Sequence, residues 1–316
     1  MAKGRVLTIK KVVPASWEEA LQGFLYWKQA QNLAERTISD YRNHVRQLFK
    51  RHPKAFDPEQ QKTEVFEYMA QPVKPATFNL RLIYLKAFFD WCIQEGIFFG
   101  NPLDGFKRKK VEDRIVNIEE AVLTKLLSLP NQETYAGLRD YALLLLTLDT
   151  GIRPKEAFSL MVEDLNFRSF EVCIRSEIAK TRTTRTLPIS PVTAKAISTL
   201  IQARYSGWKK NTPVFCTSEG GRLTVYRWGD RMEGYSNKLG VWIRPYDLRH
   251  AFALQYLRNG GHALALQRTL GHTDLTMTKR YVALTGQDLH QQHVIASPLN
   301  TLLPQKQRVR KVNKKQ

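Results

Sequence analysis

The amino-acid sequence predicts a mainly α protein with a small β-sheet, built as an N-terminal helical bundle followed by an α+β domain. Three observations carry that expectation. Apolar residues recur at helical spacing through residues 14–100, two glycines, a proline and a basic run break the pattern near residues 103–114, and two short strand-like stretches, "FEVCIRS" and "TRTLPIS", lie among later helical segments. A chain of 316 residues also exceeds what one core usually organises, which favours two domains.

In the bundle, "SWEEALQGFLYWKQAQNL" opens on a capping box of Ser16 and Glu19 and sets Ala20, Phe24 and Trp27 close to one face. "TISDYRNHVRQLFK" follows with Ile38, Tyr41, Val45, Leu48 and Phe49 at helical spacing and Arg42, Arg46 and Lys50 elsewhere on the helix. "TEVFEYMAQ" predicts a shorter helix, and "ATFNLRLIYLKAFFDWCIQEG" a long one closed by Gly96. The expected boundaries are a short basic segment at 1–13, the bundle at 14–102, and a linker at 103–113. That linker carries the basic run Lys107, Arg108, Lys109 and Lys110, a candidate for phosphate contact.

The second domain is expected over 114–302, with helices at 118–129 and 134–148, the two strands, and then "LRHAFALQYLRN", "ALALQRTL" and a helix from about Asp274. Gly260, Gly261 and Gly271 separate these last three. The tail, 303–316, has six basic residues and no acidic one, a composition suited to disorder until it meets a partner.

Lysine and arginine number 49 against 29 acidic residues, a formal charge of +20, so a polyanion is the expected partner and nucleic acid the leading one. No apolar run approaches the roughly 20 residues of a spanning helix. The longest is "YALLLL", so no membrane partner is expected. Cys92, Cys173 and Cys216 stand far apart without a CxxC pair, which points to packing roles in a reducing compartment rather than to disulfides or zinc. The stretch "MAKGRVLTIKKVVP" lacks the apolar core of a signal peptide, so the expected location is the cytoplasm. There is no HExxH, no paired carboxylate cluster and no glycine-rich loop ending in GK[ST], so neither metal nor nucleotide cofactor is expected.

Four local patterns bear on chemistry. "LDTGIRPKEA" sets Arg153 between a glycine turn and a helix start, with Glu156 three residues on as its orienting partner. "IAKTRTTRTLPI" puts Lys180 at a β-turn, and "RPYDLRHAFA" puts Arg249 in the first turn of a helix near Asp247. "LGHTDLTMTKRYVAL" places Tyr281 nine residues after His272, with Met277 and Leu284 at spacings that would put all three on one buried stripe. Taken singly, each pattern reads as a solvated cation or a packed ring.

In chain order these patterns resemble the boxes of the tyrosine recombinase family, the phage integrases and Xer-like enzymes. "TGIRPKEAFSL" is similar to the first arginine box, "AKTRTTRTLPI" to the β-hairpin lysine, "YDLRHAFA" to the second arginine box, and "LGHTDLTMTKRYVAL" to the histidine and nucleophile boxes. "FFDWCIQEGIFFGNPL" resembles the end of the family's helical core-binding domain, so the resemblance runs over about residues 14–302.

The resemblance implies a core-binding bundle joined to a tyrosine-recombinase catalytic domain, and site-specific strand exchange on double-stranded DNA. Arg153 and Arg249 would fork onto the non-bridging oxygens of a phosphodiester. Tyr281 would attack phosphorus to form a 3′-phosphotyrosyl link, Lys180 would protonate the departing 5′-oxygen, and His272 would donate a hydrogen bond to the phosphate. Glu156 would organise Arg153.

One position departs from the pattern: Tyr246 stands where the family usually has histidine, and a phenol is a poor base near neutral pH. Tyr246 would position a phosphate oxygen or Tyr281, or His250 would compensate. The resemblance further implies a homo-oligomer on DNA, a dimer per site and a tetramer in the synapse, with accessory DNA-bending proteins as possible partners. Further expected DNA contacts are Lys28, Arg42, Arg46, Arg81, Arg182 and Arg185. A type IB topoisomerase with the same chemistry, and a non-catalytic helix-turn-helix protein with Tyr281 as core, are the alternatives.

Overall fold

Helix α1 (Trp17–Ala30) starts where Ser16 Oγ accepts the amide of Glu19 at 3.3 Å, while the Glu19 carboxylate reaches back to the amide of Ala15 at 2.9 Å. The expected cap is therefore present, with its returning arm one residue further upstream. In the computed structural model, which describes residues 14–111, 117–285 and 289–302, α1 is followed by α2 (Glu35–Arg51), α3 (Gln61–Ala70) and α4 (Pro75–Gln94). Each turns its periodic face inward: Phe24, Ile38, Val45, Leu48, Leu85, Phe88 and Phe89 are fully or almost fully buried. Edge-on rings fill the centre, with Phe24 and Phe88 at 5.4 Å.

Two expectations for this unit need correction. Leu103 is completely buried, Phe106 packs on the same core, and Lys109 exchanges two 2.8 Å hydrogen bonds with the Asn79 side chain. The start of the expected linker thus belongs to the packing of the first unit. The chain divides at Asp113 and Arg114, and residues 112–116 lie outside the described ones.

Arg81, expected to face DNA, is instead only 6% exposed. It donates to the Tyr68 carbonyl at 3.1 Å and lies 4.3 Å from the Tyr68 ring centroid. Helical periodicity puts it between Phe78 and Leu82, on the buried side. Arg81→Ala is accordingly expected to cost about 2 kcal/mol of stability, from a charged hydrogen bond and a cation–π contact. A denaturant midpoint should fall while the salt dependence of DNA binding stays as it was; the reverse result would return Arg81 to the DNA surface.

The second unit has α5 (Glu120–Ser128), α6 (Tyr135–Thr150), the short α7 (Pro154–Ala157), and an antiparallel sheet in the order β1 (Leu165–Asn166), β2 (Glu171–Ile174), β3 (Arg185–Pro188). Val172 pairs with Leu187 on the buried face, and that register places Arg185 at the start of β3, opposite Ile174. Then come α8 (Pro191–Gln202), α9 (Val225–Leu239), α10 (Pro245–Arg258), α11 (Ala263–Leu270), α12 (Thr276–Thr285), α13 (Leu289–Ala296) and α14 (Leu299–Leu302). The architecture is mainly helical with one small sheet, as the sequence predicts.

Buried Asp140 ties α6 to α9, taking Arg139, Arg231 and the Tyr235 hydroxyl at 2.6–2.8 Å. The cysteines are free, with Cys92 and Cys216 buried and Cys173 half-buried. No helix among the described residues is long and apolar enough to cross a membrane.

Candidate active site

The site forms around the C-terminal end of α11. A helix end leaves carbonyls without amide partners and carries partial negative charge, so cations gather there. Here three successive carbonyls each receive an arginine from a different element. Arg185 of β3 donates to Thr269 O (3.3 Å), Arg249 of α10 to Leu270 O (2.7 Å), and Arg153, the residue before α7, to Gly271 O (3.3 Å).

Gly271 ends α11 at φ +61° and Gly151 ends α6 at φ +62°, left-handed positions that side chains rarely take. Gly151 is fixed twice over: a Cβ there would meet Phe252 at 2.4 Å and Leu270 at 2.7 Å. Its carbonyl takes the second arm of Arg249 at 2.5 Å.

Glu156 holds the cations together. It is almost fully buried and accepts from Arg153 Nη1 (3.1 Å), from Arg185 (2.6 and 3.3 Å), and from the backbone amides of Arg153 and Lys180. Burial alone would push its carboxyl up, but the paired arginines hold it below the usual carboxylate range. Arg185, expected to contact DNA, is thereby committed to an ion pair that steadies Arg153. Its β3 register aims it at Glu156.

Arg249 is completely buried, and its Nε and that of Arg153 have no hydrogen-bond partner among the described residues. Burial, and then the charge of Arg153, push Arg249 down to about 10, so it remains a cation at neutral pH. Two guanidinium N–H groups are thus held dry and unspent, which protein interiors ordinarily avoid.

His272 lies between Arg249 Nη2 (3.3 Å from Nε2) and Thr278 Oγ1 (3.1 Å from Nδ1). A guanidinium can only donate, so Nε2 accepts here and Nδ1 carries the hydrogen toward Thr278. Burial, with the charges of Arg249 and Arg153, pushes His272 down to about 4, so the ring is neutral at pH 7. Donation from Nε2 to a phosphate would require the other tautomer, which the Thr278 hydroxyl can equally satisfy. The sequence patterns do not single out Thr278; the signal for it is its placement three residues before Tyr281, on the same side of α12.

Arg153, Lys180, Thr181, Tyr246, His272 and Met277 line one open cleft of about 420 Å³. Lys180 stands exposed on the β2–β3 turn, and exposed Arg182 follows at φ +53°. Tyr246 is 45% exposed. Tyr281 is absent from the lining: it is 1% exposed and packed with Phe252, Leu254, Leu257, Leu266 and Leu270.

The expected stripe of Met277, Tyr281 and Leu284 is corrected in one member. Met277 faces the cleft at 37% exposure and Thr278 takes the buried place, because α12 turns toward α10 and α11; the Leu284 side chain lies outside the described ones. The Tyr281 hydroxyl meets His250 Nδ1 at 2.8 Å. Burial raises its pKa to about 12 against the opposing charge of Arg249.

Of the other expected DNA contacts, Arg46 and the run Lys107, Arg108, Lys109 and Lys110 are exposed, and Arg42 is partly so. Lys28 rests on aromatic rings, 4.4 Å from the Trp27 centroid and 5.1 Å from that of Tyr41.

This geometry defines an arginine-rich anion cleft with a packed tyrosine at its edge. The model of the phage integrase family matches residues 117–288, more than half of the chain. Tyrosine recombinase XerC of Shewanella amazonensis is 32% identical over 224 residues, covering 69% of this chain and 74% of that relative. XerD of Vibrio cholerae is 28% identical over 278 residues, covering 83% and 90%.

The chain therefore belongs to the phage integrase family of tyrosine recombinases, enzymes of site-specific DNA recombination that cleave and rejoin strands. Among solved structures, a lambda integrase dimer bound to a COC′ core site is similar in fold, with TM-score 0.69, 15% identity, and 86% of this chain and 96% of that one covered. The Tn1549 transposon integrase with transposon right end DNA gives TM-score 0.68 at 20% identity, covering 88% and 99%. The two alternatives, a type IB topoisomerase and a non-catalytic helix-turn-helix protein, find no support in these relatives.

Proposed function

We propose that this protein recombines double-stranded DNA by transesterification, with Tyr281 as nucleophile and the cleft lined by Arg153, Lys180 and His272, with buried Arg249 behind it, as the phosphate site. The observation that carries the reading is the pair of buried, unpartnered guanidinium Nε atoms beside a neutral histidine and a packed tyrosine. A phosphodiester brings the acceptors those donors lack, and its charge grows where the fixed cations already stand.

Arg153 and Arg249 hold the non-bridging oxygens while Glu156, through Arg185, keeps Arg153 in place. Tyr246, on the cleft wall, positions a phosphate oxygen. Lys180, on its exposed turn, delivers a proton to the leaving 5′-oxygen. Tyr281 must reach phosphorus from a buried position, so DNA binding and a shift of α12 go together.

The neighbouring lambda integrase is described as a dimer on its core site. A dimer per site and a tetramer in the synapse are proposed here too. Val294, Ile295, Leu299 and Leu302 of α13 and α14 are 58–74% exposed and offer an apolar surface for a neighbouring copy. Arg46, the run at Lys107, Arg108, Lys109 and Lys110, and Arg182 serve as backbone contacts, and accessory DNA-bending proteins can assist.

The test is a nicked duplex that traps the cleaved state, resolved by denaturing electrophoresis: wild type should yield a covalent protein–DNA adduct, and its absence would sink the reading. With the same duplex, Lys180→Ala should cleave about 10²–10⁴-fold more slowly. A sulfur at the bridging 5′ position, which leaves without a proton, should restore the rate. Failure of that rescue would remove Lys180 from the acid role.

A further inference from the structure

Tyr246 and His250 lie four residues apart on α10, so both project from one face of the helix, one turn apart. Their rings meet edge-on at 5.3 Å, and the His250 ring in turn lies 5.7 Å from that of Tyr281. The outer member, Tyr246, opens to the cleft, whereas His250 is 8% exposed. The series thus leads from the cleft wall to the nucleophile, and the residue touching the nucleophile is the imidazole.

We propose that His250 accepts the Tyr281 proton as the tyrosine attacks, so that the base stands one helical turn inward of the position Tyr246 occupies. This rests on the reading of Tyr281 as nucleophile. His250 Nδ1 and the Tyr281 hydroxyl are 2.8 Å apart, and in the tautomer with its hydrogen on Nε2 the imidazole takes the phenolic hydrogen at Nδ1.

In the step itself the proton passes from Tyr281 Oη to His250 Nδ1, and the freed oxygen pair forms the bond to phosphorus. The P–O5′ bond breaks, and Lys180 supplies the proton that the 5′-oxygen takes away. Religation reverses each transfer. Tyr281 is shut from bulk water, the Tyr246 phenol is a poor base, and His272, whose ring lies 6.5 Å from that of Tyr281, has Nε2 engaged with Arg249 and Nδ1 with Thr278. The cations Arg249 and Arg153 favour the phenolate once burial has been overcome.

The test uses the full-length protein and a nicked duplex recovered from a randomised library by covalent capture on wild type. His250→Gln keeps an oxygen that can accept the hydroxyl's hydrogen bond but takes no proton. It is expected to melt and bind the duplex like wild type, and to cleave about 10²–10⁴-fold more slowly in a single turnover.

Bridging 5′ sulfur should not restore it, since the missing proton acceptor serves the attacking oxygen and not the leaving one. His250→Ala should regain cleavage with added imidazole, and this result decides the matter if His250→Gln folds poorly. Cleavage by folded His250→Gln at or above the wild-type rate, or no imidazole rescue, would overturn the proposal and leave the contact as packing. A wild type without adduct would remove the nucleophile itself, whereas a normal wild-type adduct beside an unimpaired His250→Gln removes this proposal alone.

Discussion

Tyr281→Phe is expected to fold, to bind DNA, and to form no covalent adduct. The ring sits in a small apolar cluster with Phe252, Leu254, Leu257, Leu266 and Leu270, and phenylalanine fills the same space. What goes is one hydroxyl and its 2.8 Å contact with His250, a loss of about 1 kcal/mol. Chemistry, by contrast, loses its nucleophile and falls to background. A thermal scan within a few degrees of wild type, beside a blank lane for the adduct, is the predicted pair of results. Adduct formation by Tyr281→Phe would move the nucleophile elsewhere.

Arg249→Ala should fail in two ways at once. Sequence alone suggests a loss confined to the chemical step, with DNA binding only modestly weakened because many other cations contact the backbone. The side chain is also completely buried and supplies donors to Gly151 O and Leu270 O, carbonyls at two helix ends.

Stranding them costs about 1–3 kcal/mol each, so the melting temperature should drop by several degrees while cleavage is abolished. Arg153→Ala is the comparison. Its links to Glu156 and Gly271 sit at the cleft edge, and Arg185 still pairs with Glu156. Its cleavage should therefore collapse with a smaller thermal loss. Equal melting temperatures for wild type and Arg249→Ala would show that the two carbonyl bonds contribute nothing to the fold.

Legibility followed the physics of each signal. The bundle helices could be read because Ile38, Val45, Leu48 and their like repeat at helical spacing, which burial then enforces. Helices α8 and α9 have no counterpart among the expected elements, although Ser190 with Pro191, and Thr224 with Gly240, mark their ends, and Ile197 with Leu200, and Trp228, Met232 and Tyr235, repeat at helical spacing.

Arginines are harder to place. In a chain of +20, nothing local separates Arg81 or Arg185 from a DNA contact until burial and a partner are known. The arrangement at the end of α11 was beyond sequence, since it joins carbonyls to side chains some 20 to 120 residues away.

His250 shows a different limit. Comparing it with its neighbour Arg249 suggests that it points away from the site, because adjacent helical residues diverge by about 100°. The comparison that matters is with Tyr246, four residues earlier and on the same face.

The central claim, that Tyr281 is the residue that takes the DNA, is met most directly by locating the bond. Wild type should be trapped on a nicked duplex in buffer containing EDTA, digested with protease and nuclease, and sequenced by mass spectrometry. The account predicts a nucleotide joined through its 3′-phosphate to the peptide containing Tyr281, with a free 5′-hydroxyl on the released strand. A nucleotide on any other residue, or one joined through a 5′-phosphate, would contradict it.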